Sequence, residues 1–391
     1  PGVAPLIKGM FTNRPYIEGA WMTKHCGKYH LQYAAPGTQY NTYSDAVYAG
    51  ESPLGPFVLA ENNPYSYKPG GFIPGAGHGS TMQDDQGNWW HTSTMRISVN
   101  HDFERRVGLW PAGFDKDGEL YCNQRYGDWP ISCSGFRQDA WRDPEWMLLS
   151  VNKKTEASSY TEGHEPYRAV EENVQTWWRA ETNSRDEWLC LDLGRVFSVH
   201  AVQVNYADDH IDIPCPGEIR PGSQARYIEE RDLKTQWKLE GSADGGQWFV
   251  IEDKSNADTD LSHDLIVREE GMQIRYLRLS NISVPYDQNP CVSGLRVFGR
   301  GDGEAPAVPE YTAKRSGALD MLVNIKEQSD TAGYNILFGS SPEKLYHSMM
   351  VFEPGEHRIG ALIDGRNYYV RVDAFNENGI TEGICRKLGE E

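Results

Sequence analysis

The sequence predicts an all-β chain built from several β units in series. Three observations carry that expectation. Strand-forming runs of about six residues alternate with short Gly, Pro, Asn and Asp turns, and no stretch sustains the apolar period of a helix. Aromatic residues are plentiful, with 12 Trp and 21 Tyr among 391 residues. That length allows roughly two to four domains, each with its own core.

Composition excludes some partners. The formal net charge of −18 argues against nucleic acid and against an anionic membrane surface. No apolar run approaches the length needed to span a bilayer. The seven cysteines are scattered without metal-site spacing and read mostly as buried thiols. A pair such as Cys215 with Cys291 could form a disulfide in the middle unit.

Taken in order, the first informative stretch is Tyr16-Ile-Glu-Gly-Ala-Trp-Met-Thr-Lys-His25. Its single acid, Glu18, lies between Ile17 and Gly19, with Trp21 close behind. A carboxyl held against apolar side chains is hard to ionise, which is the tuning a general acid needs. The alternative is an exposed or salt-bridged glutamate at a strand end. Asp85-Gln-Gly-Asn88 and Asp115-Lys-Asp-Gly118 read as turns between strands.

Several motifs in this stretch carry a resemblance. Ile17-Glu-Gly-Ala-Trp21, Gly27-Lys-Tyr-His-Leu-Gln-Tyr33, Ser52-Pro-Leu-Gly-Pro-Phe57 and Gly77-His-Gly-Ser-Thr81, followed by Asp85-Gln-Gly-Asn-Trp-Trp90, stand in the order seen in glycoside hydrolase family 43. The chain resembles that family over about its first 130 residues and departs from it at Ala20, where proline is usual. The resemblance implies a five-bladed β-propeller. At roughly 40–50 residues per blade, the stretch supplies about three blades, so the C-terminal part of a propeller is expected over residues 1–140.

The same resemblance assigns roles. Glu18 is the expected general acid of an inverting glycosidase. His78 is expected near the propeller axis, where the family often holds a structural calcium ion, so it is the metal-site residue. Arg105, counted back from Pro111, is the expected substrate-facing arginine, with Arg106 the alternative if the strand is shifted by one residue. Trp21, Thr38 and Trp110 are candidate pocket liners that touch substrate, or equally parts of the blade core. The family's base aspartate and its acid-tuning aspartate have no recognisable counterpart here. Asp143, in Trp141-Arg-Asp-Pro144, superficially resembles the base motif but follows the last blade and is rejected. An inverting enzyme needs acid and base carboxyls roughly 6.5–9.5 Å apart. The base is therefore expected outside this chain, in a missing N-terminal propeller half that could be a separate polypeptide.

Two further units follow. Residues 141–302 resemble a discoidin-type jelly roll similar to carbohydrate-binding module family 32. The resemblance rests on Glu187-Trp-Leu-Cys-Leu-Asp-Leu-Gly194, Trp237-Lys-Leu-Glu-Gly241, Ile274-Arg-Tyr-Leu-Arg-Leu279 and Ser293-Gly-Leu-Arg-Val-Phe-Gly299. Its loops carry His164, Tyr167 and Tyr206 as conceivable sugar contacts. After the linker Ala305-Pro-Ala-Val-Pro309, residues 303–391 resemble a fibronectin type III sandwich, with period-two alternation in Tyr368-Tyr-Val-Arg-Val-Asp-Ala-Phe375.

The expected whole is part of a secreted or periplasmic glycosidase of the α-L-arabinofuranosidase or β-xylosidase kind. Its expected partner is a plant-type polysaccharide or oligosaccharide containing arabinose or xylose. The alternative is a non-catalytic carbohydrate-binding or adhesive protein that uses the discoidin-like unit.

Overall fold

The computed structural model describes residues 17–97, 104–133, 139–209 and 232–389. The fold is all-β, as predicted, with two short 3₁₀ turns as its helical elements among the described residues. Cys215 lies outside the described residues. Among the described cysteines Cys122 and Cys291 are buried free thiols, Cys190 and Cys385 are half-buried, and Cys26 and Cys133 are exposed, so the expectation that most are buried is not met among them.

The first unit contains two up-and-down antiparallel sheets. One is formed by β1 (Glu18–His25), β2 (Lys28–Ala35), β3 (Ser44–Gly50) and β4 (Val58–Leu59), with the short β5 (Ser66–Tyr67) on β3. The other is formed by β6 (Gly77–Gln83), β7 (Trp89–Arg96), β8 (Arg105–Phe114) and β9 (Leu120–Cys122). Local chemistry explains the first hairpin. Cys26 and Gly27 both have positive φ, 45° and 86°, as a two-residue hairpin turn requires. The predicted turns at 85–88 and 115–118 join β6 to β7 and β8 to β9.

Sequence length predicted about three such sheets, and the described residues hold two. Beyond β9 the described residues run through turns closed by Gly127 N to Gln124 O and Trp129 N to Tyr126 O, with no third sheet among them. Pro130 and Pro144 lack the N–H that a ladder requires.

The central unit, within 147–300, is one eight-stranded antiparallel sheet curled around a single apolar core. Its two long strands, Trp188–Tyr206 and His263–Ser283, shift register between Asp192 and Phe197 and again between Val199 and Ala201. Such irregularities let a strand bend from one layer into the next. The last unit, within 311–387, stacks a three-stranded sheet on a five-stranded one around Met321, Ile336, Phe338 and Val372.

Candidate functional site

The N-terminal ends of β1, β3 and β6 meet at one place. Ser44 and Ala76 form a parallel bridge between the two sheets, and Ala76 N donates to Tyr43 O at 2.8 Å. This seam brings Glu18, Tyr43, Asp45 and His78 together. The Tyr43 hydroxyl donates to Glu18 Oε1 at 2.8 Å. His78 Nδ1 lies 3.5 Å from Glu18 Oε2.

Glycines make this approach possible. Gly19 has φ +64°, and a Cβ there would stand 2.8 Å from the His78 ring. A Cβ on Gly77 would meet the Tyr43 ring at 2.8 Å. One on Gly79 would lie 2.3 Å from Thr92 O and 2.6 Å from Asp45 Oδ2. The Gly77-His-Gly79 spacing therefore reflects close packing on both sides of the histidine.

Asp45 holds this loop from below. It is fully buried, accepting from His78 N at 2.8 Å and Gly79 N at 2.9 Å. Those bonds help stabilise His78 at φ +58°, a backbone conformation unusual for a residue with a side chain. His91 Nε2 lies 3.1 Å from Asp45 Oδ2, and its other ring nitrogen is 3.0 Å from the Thr81 hydroxyl. Thr81 in turn donates to Gln32 Oε1 at 3.0 Å. A polar chain thus runs beneath the site through both sheets.

Each sequence-predicted residue has a definite place. Glu18 is partly buried, with its side chain 29% exposed, and its surroundings differ from those expected. Ile17 and Trp21 do not enclose it; they are 57% and 41% exposed. Tyr43 and His78 contact it instead. The Trp21 indole N–H donates to Thr81 O at 3.0 Å, leaving the exposed ring beside β6. Thr38 is buried, and so is Trp110, which packs in the core of the first unit.

The arginine alternatives separate by face. Arg105 and Arg106 are consecutive on β8, so they point to opposite sides. Arg106 donates to Ser262 Oγ of the central unit at 2.8 Å. Arg105 is exposed and its charge reaches Tyr43. Burial pushes the Tyr43 phenol above its usual value, and the hydrogen bond to Glu18 and the charges of Glu18 and Asp45 add to this, while Arg105 opposes it. Asp143 stands apart, paired with Arg125 at 3.3 Å.

Sequence reasoning missed Tyr43 and Asp45. Both lie in Tyr43-Ser-Asp45, where β3 begins, and no local motif marks them. A calcium ion beside His78 takes several oxygen ligands. The pairing of one imidazole with Glu18 does not supply them, and no group of three or more His, Cys, Asp or Glu able to hold a metal occurs among the described residues.

In the central unit, His164 stacks on Trp177 with ring centroids 5.1 Å apart, Tyr167 is exposed, and Tyr206 is buried.

Comparison with known proteins agrees with the motifs. Residues 3–120 match the family described as Glycosyl hydrolases family 43. Residues 168–279 match the family described as NedA-like, galactose-binding domain. No curated protein matches the chain. Among solved structures it is similar to a glycoside hydrolase at 18% identity and TM-score 0.38, covering 72% of this chain and 60% of that one. It is also similar to an endo-1,4-beta-xylanase from Bacteroides thetaiotaomicron, at 23% identity and TM-score 0.25, over 27% of this chain and 37% of that one. A third is the family 32 CBM from C. perfringens NanJ in complex with galactose, at 11% identity and TM-score 0.30, over 39% of this chain and 98% of that one. The chain spans 60% of the length of the glycoside hydrolase. Likenesses of this size carry no functional argument.

Proposed function

We propose that the first unit carries the acid half of a glycoside hydrolase site, with Glu18 as general acid. The observation supporting this is the convergence of Tyr43 and His78 on the two oxygens of a half-open Glu18. Glu18 protonates the departing glycosidic oxygen as the bond to the anomeric carbon breaks. Water attacks that carbon from the opposite face and gives its proton to a base. Asp45 cannot be that base, since it is fully buried with its oxygens on His78 N and Gly79 N. The base is an aspartate from outside this chain, in the remaining part of the propeller. Arg105, on the open side of β8, binds sugar hydroxyls and biases the charge around Glu18. The exposed Trp21 ring offers a stacking surface.

The substrate class is an arabinose- or xylose-containing saccharide, by resemblance to the family matched at residues 3–120. A polymeric substrate calls for work outside the cytoplasm. The last unit, similar to fibronectin type III, acts as a spacer.

The test is to assay the chain on aryl arabinofuranosides and xylosides and to titrate it with pentose oligosaccharides by calorimetry. Saccharide binding weakened by Arg105→Ala, without turnover by the chain alone, is expected. Turnover that disappears in Glu18→Gln would place the base inside this chain. Failure to bind any pentose saccharide would overturn the reading. A second reading, sugar capture by the central unit, is favoured by its match to a galactose-binding family and its exposed Tyr160 and Tyr167. Binding that persists in Arg105→Ala but is lost on substituting those tyrosines supports it.

A further inference from the structure

Four charged side chains meet where the first unit touches the central one, and all four are almost fully buried. Lys68 and Asp128 come from the first unit and pair at 2.7 Å, with side chains 5% and 4% exposed. Glu172 and Arg296 come from the central unit and pair at 2.8 Å, each 1% exposed. Their charges sum to zero.

The cluster is satisfied in detail. Lys68 Nζ also donates to Gly70 O at 2.8 Å and Ile73 O at 2.6 Å. Arg296 grips Glu172 with two nitrogens, Nε to Oε1 at 2.9 Å and Nη2 to Oε2 at 2.8 Å. Its remaining nitrogen crosses the boundary and donates to Asp128 O at 2.6 Å. The guanidinium lies over Phe72 of the first unit, 4.5 Å from the ring centroid, and over its own neighbour Phe298 at 5.0 Å. Phe72 reaches so far into the sandwich that a Cβ on Gly294 would stand 2.8 Å from it. The backbone joins as well, with Val174 N donating to Phe72 O at 3.0 Å.

Beside the charges, one apolar cluster draws on all three units. Tyr126 and Trp129 of the first pack with Phe298 of the second and with Phe375 and Met350 of the third. The Trp129 and Phe375 rings meet edge to face at 5.3 Å. The third unit is fixed to the first at further points. Lys344 reaches Asp115, Asp117 and Glu119 at 2.9, 2.7 and 2.9 Å, and buried His347 sits 2.7 Å from Pro64 O.

We propose that the galactose-binding-like sandwich serves as a permanent structural wall of the first unit, so that the three units fold and unfold as one body. A module tethered for sugar capture keeps a polar, solvated face toward its neighbour. Here separation would break the bond from Arg296 to Asp128 O, open both buried ion pairs to solvent, and expose Phe72, Trp129 and Phe298 together. Burial draws Lys68 below and pushes Glu172 above their ordinary values, so each charge depends on its partners. This inference stands whether or not Glu18 is catalytic.

The test uses the full chain. Calorimetry is expected to show a single unfolding transition that Arg296→Met moves down as a whole, by roughly 5 °C. Two transitions, with only one displaced by Arg296→Met, would overturn the proposal. Should Arg296→Met fail to fold, native-state hydrogen exchange on the unmodified chain decides. Amides of Leu31 and Gln32 in the first unit and of Leu277 and Leu279 in the second should then exchange through one shared opening as denaturant rises. Separate openings for the two sets overturn the proposal.

Discussion

The Tyr43 hydroxyl donates a 2.8 Å hydrogen bond to Oε1 of Glu18, across 25 residues of sequence and from the start of one strand to the start of another. Two residues further on, Asp45 holds the backbone of His78. The opening of β3 therefore sets both neighbours of the proposed acid.

Removing only the Tyr43 hydroxyl isolates that bond. Tyr43→Phe keeps the ring against Gly77 and should cost about 1 kcal/mol of stability, the usual net worth of one hydrogen bond. Urea unfolding measures it. A neutral result would mean that solvent replaces the tyrosine at Glu18.

Glycine substitutions should rank by what their Cβ meets. Gly79→Ala places a methyl 2.3 Å from the Thr92 carbonyl, between β6 and β7. It should destabilise by about 2 kcal/mol or more. Gly27→Ala meets nothing within 4 Å but sits at φ +86°, and about 1 kcal/mol is expected from backbone strain alone. Thermal melts of the two variants give the order directly.

Stability should depend on pH through His30. Burial lowers its imidazole from 6.5 to about 4, with His25 and Lys28 adding to the effect. The folded state thus prefers neutral His30. Its contribution is complete above the unfolded value of 6.5 and is lost as pH falls through about 4. Melting temperature should drop across that window, and His30→Leu should flatten the drop. An unchanged pH profile in the variant would assign the loss to other groups.

The two β8 arginines should part company. Under the proposed function, Arg105→Ala lowers pentose-oligosaccharide affinity by roughly tenfold, about 1.4 kcal/mol. Arg106→Ala leaves affinity intact and removes the contact with Ser262, with a small loss of stability. Calorimetric titration of both variants, beside their melts, tests the assignment.

Much of this was legible from residue order. The Asp-rich turns at 85–88 and 115–118 and the alternating strands of the two sandwiches follow from turn chemistry and side-chain period. Both act between near neighbours. The glycines around His78 also advertised a crowded backbone.

The inward face of β2 was not legible. Tyr29, Leu31 and Tyr33 are its apolar set, yet His30, Gln32 and Ala34 are the residues buried. A hydrogen-bonded chain through Thr81 and His91 compensates Gln32, and that chain exists only once the second sheet is in place.

The strands, their turns and the Glu18 and Gly77-His-Gly79 motifs were set by the sequence alone, because each depends on residues within a few positions of one another. The surroundings of Glu18, the burial of Thr38 and Trp110, and the hydrogen bond from Arg296 to Asp128 O were decided by tertiary structure. These pairings join residues from 25 to 168 positions apart. Only the packing of whole sheets brings such residues within hydrogen-bond range.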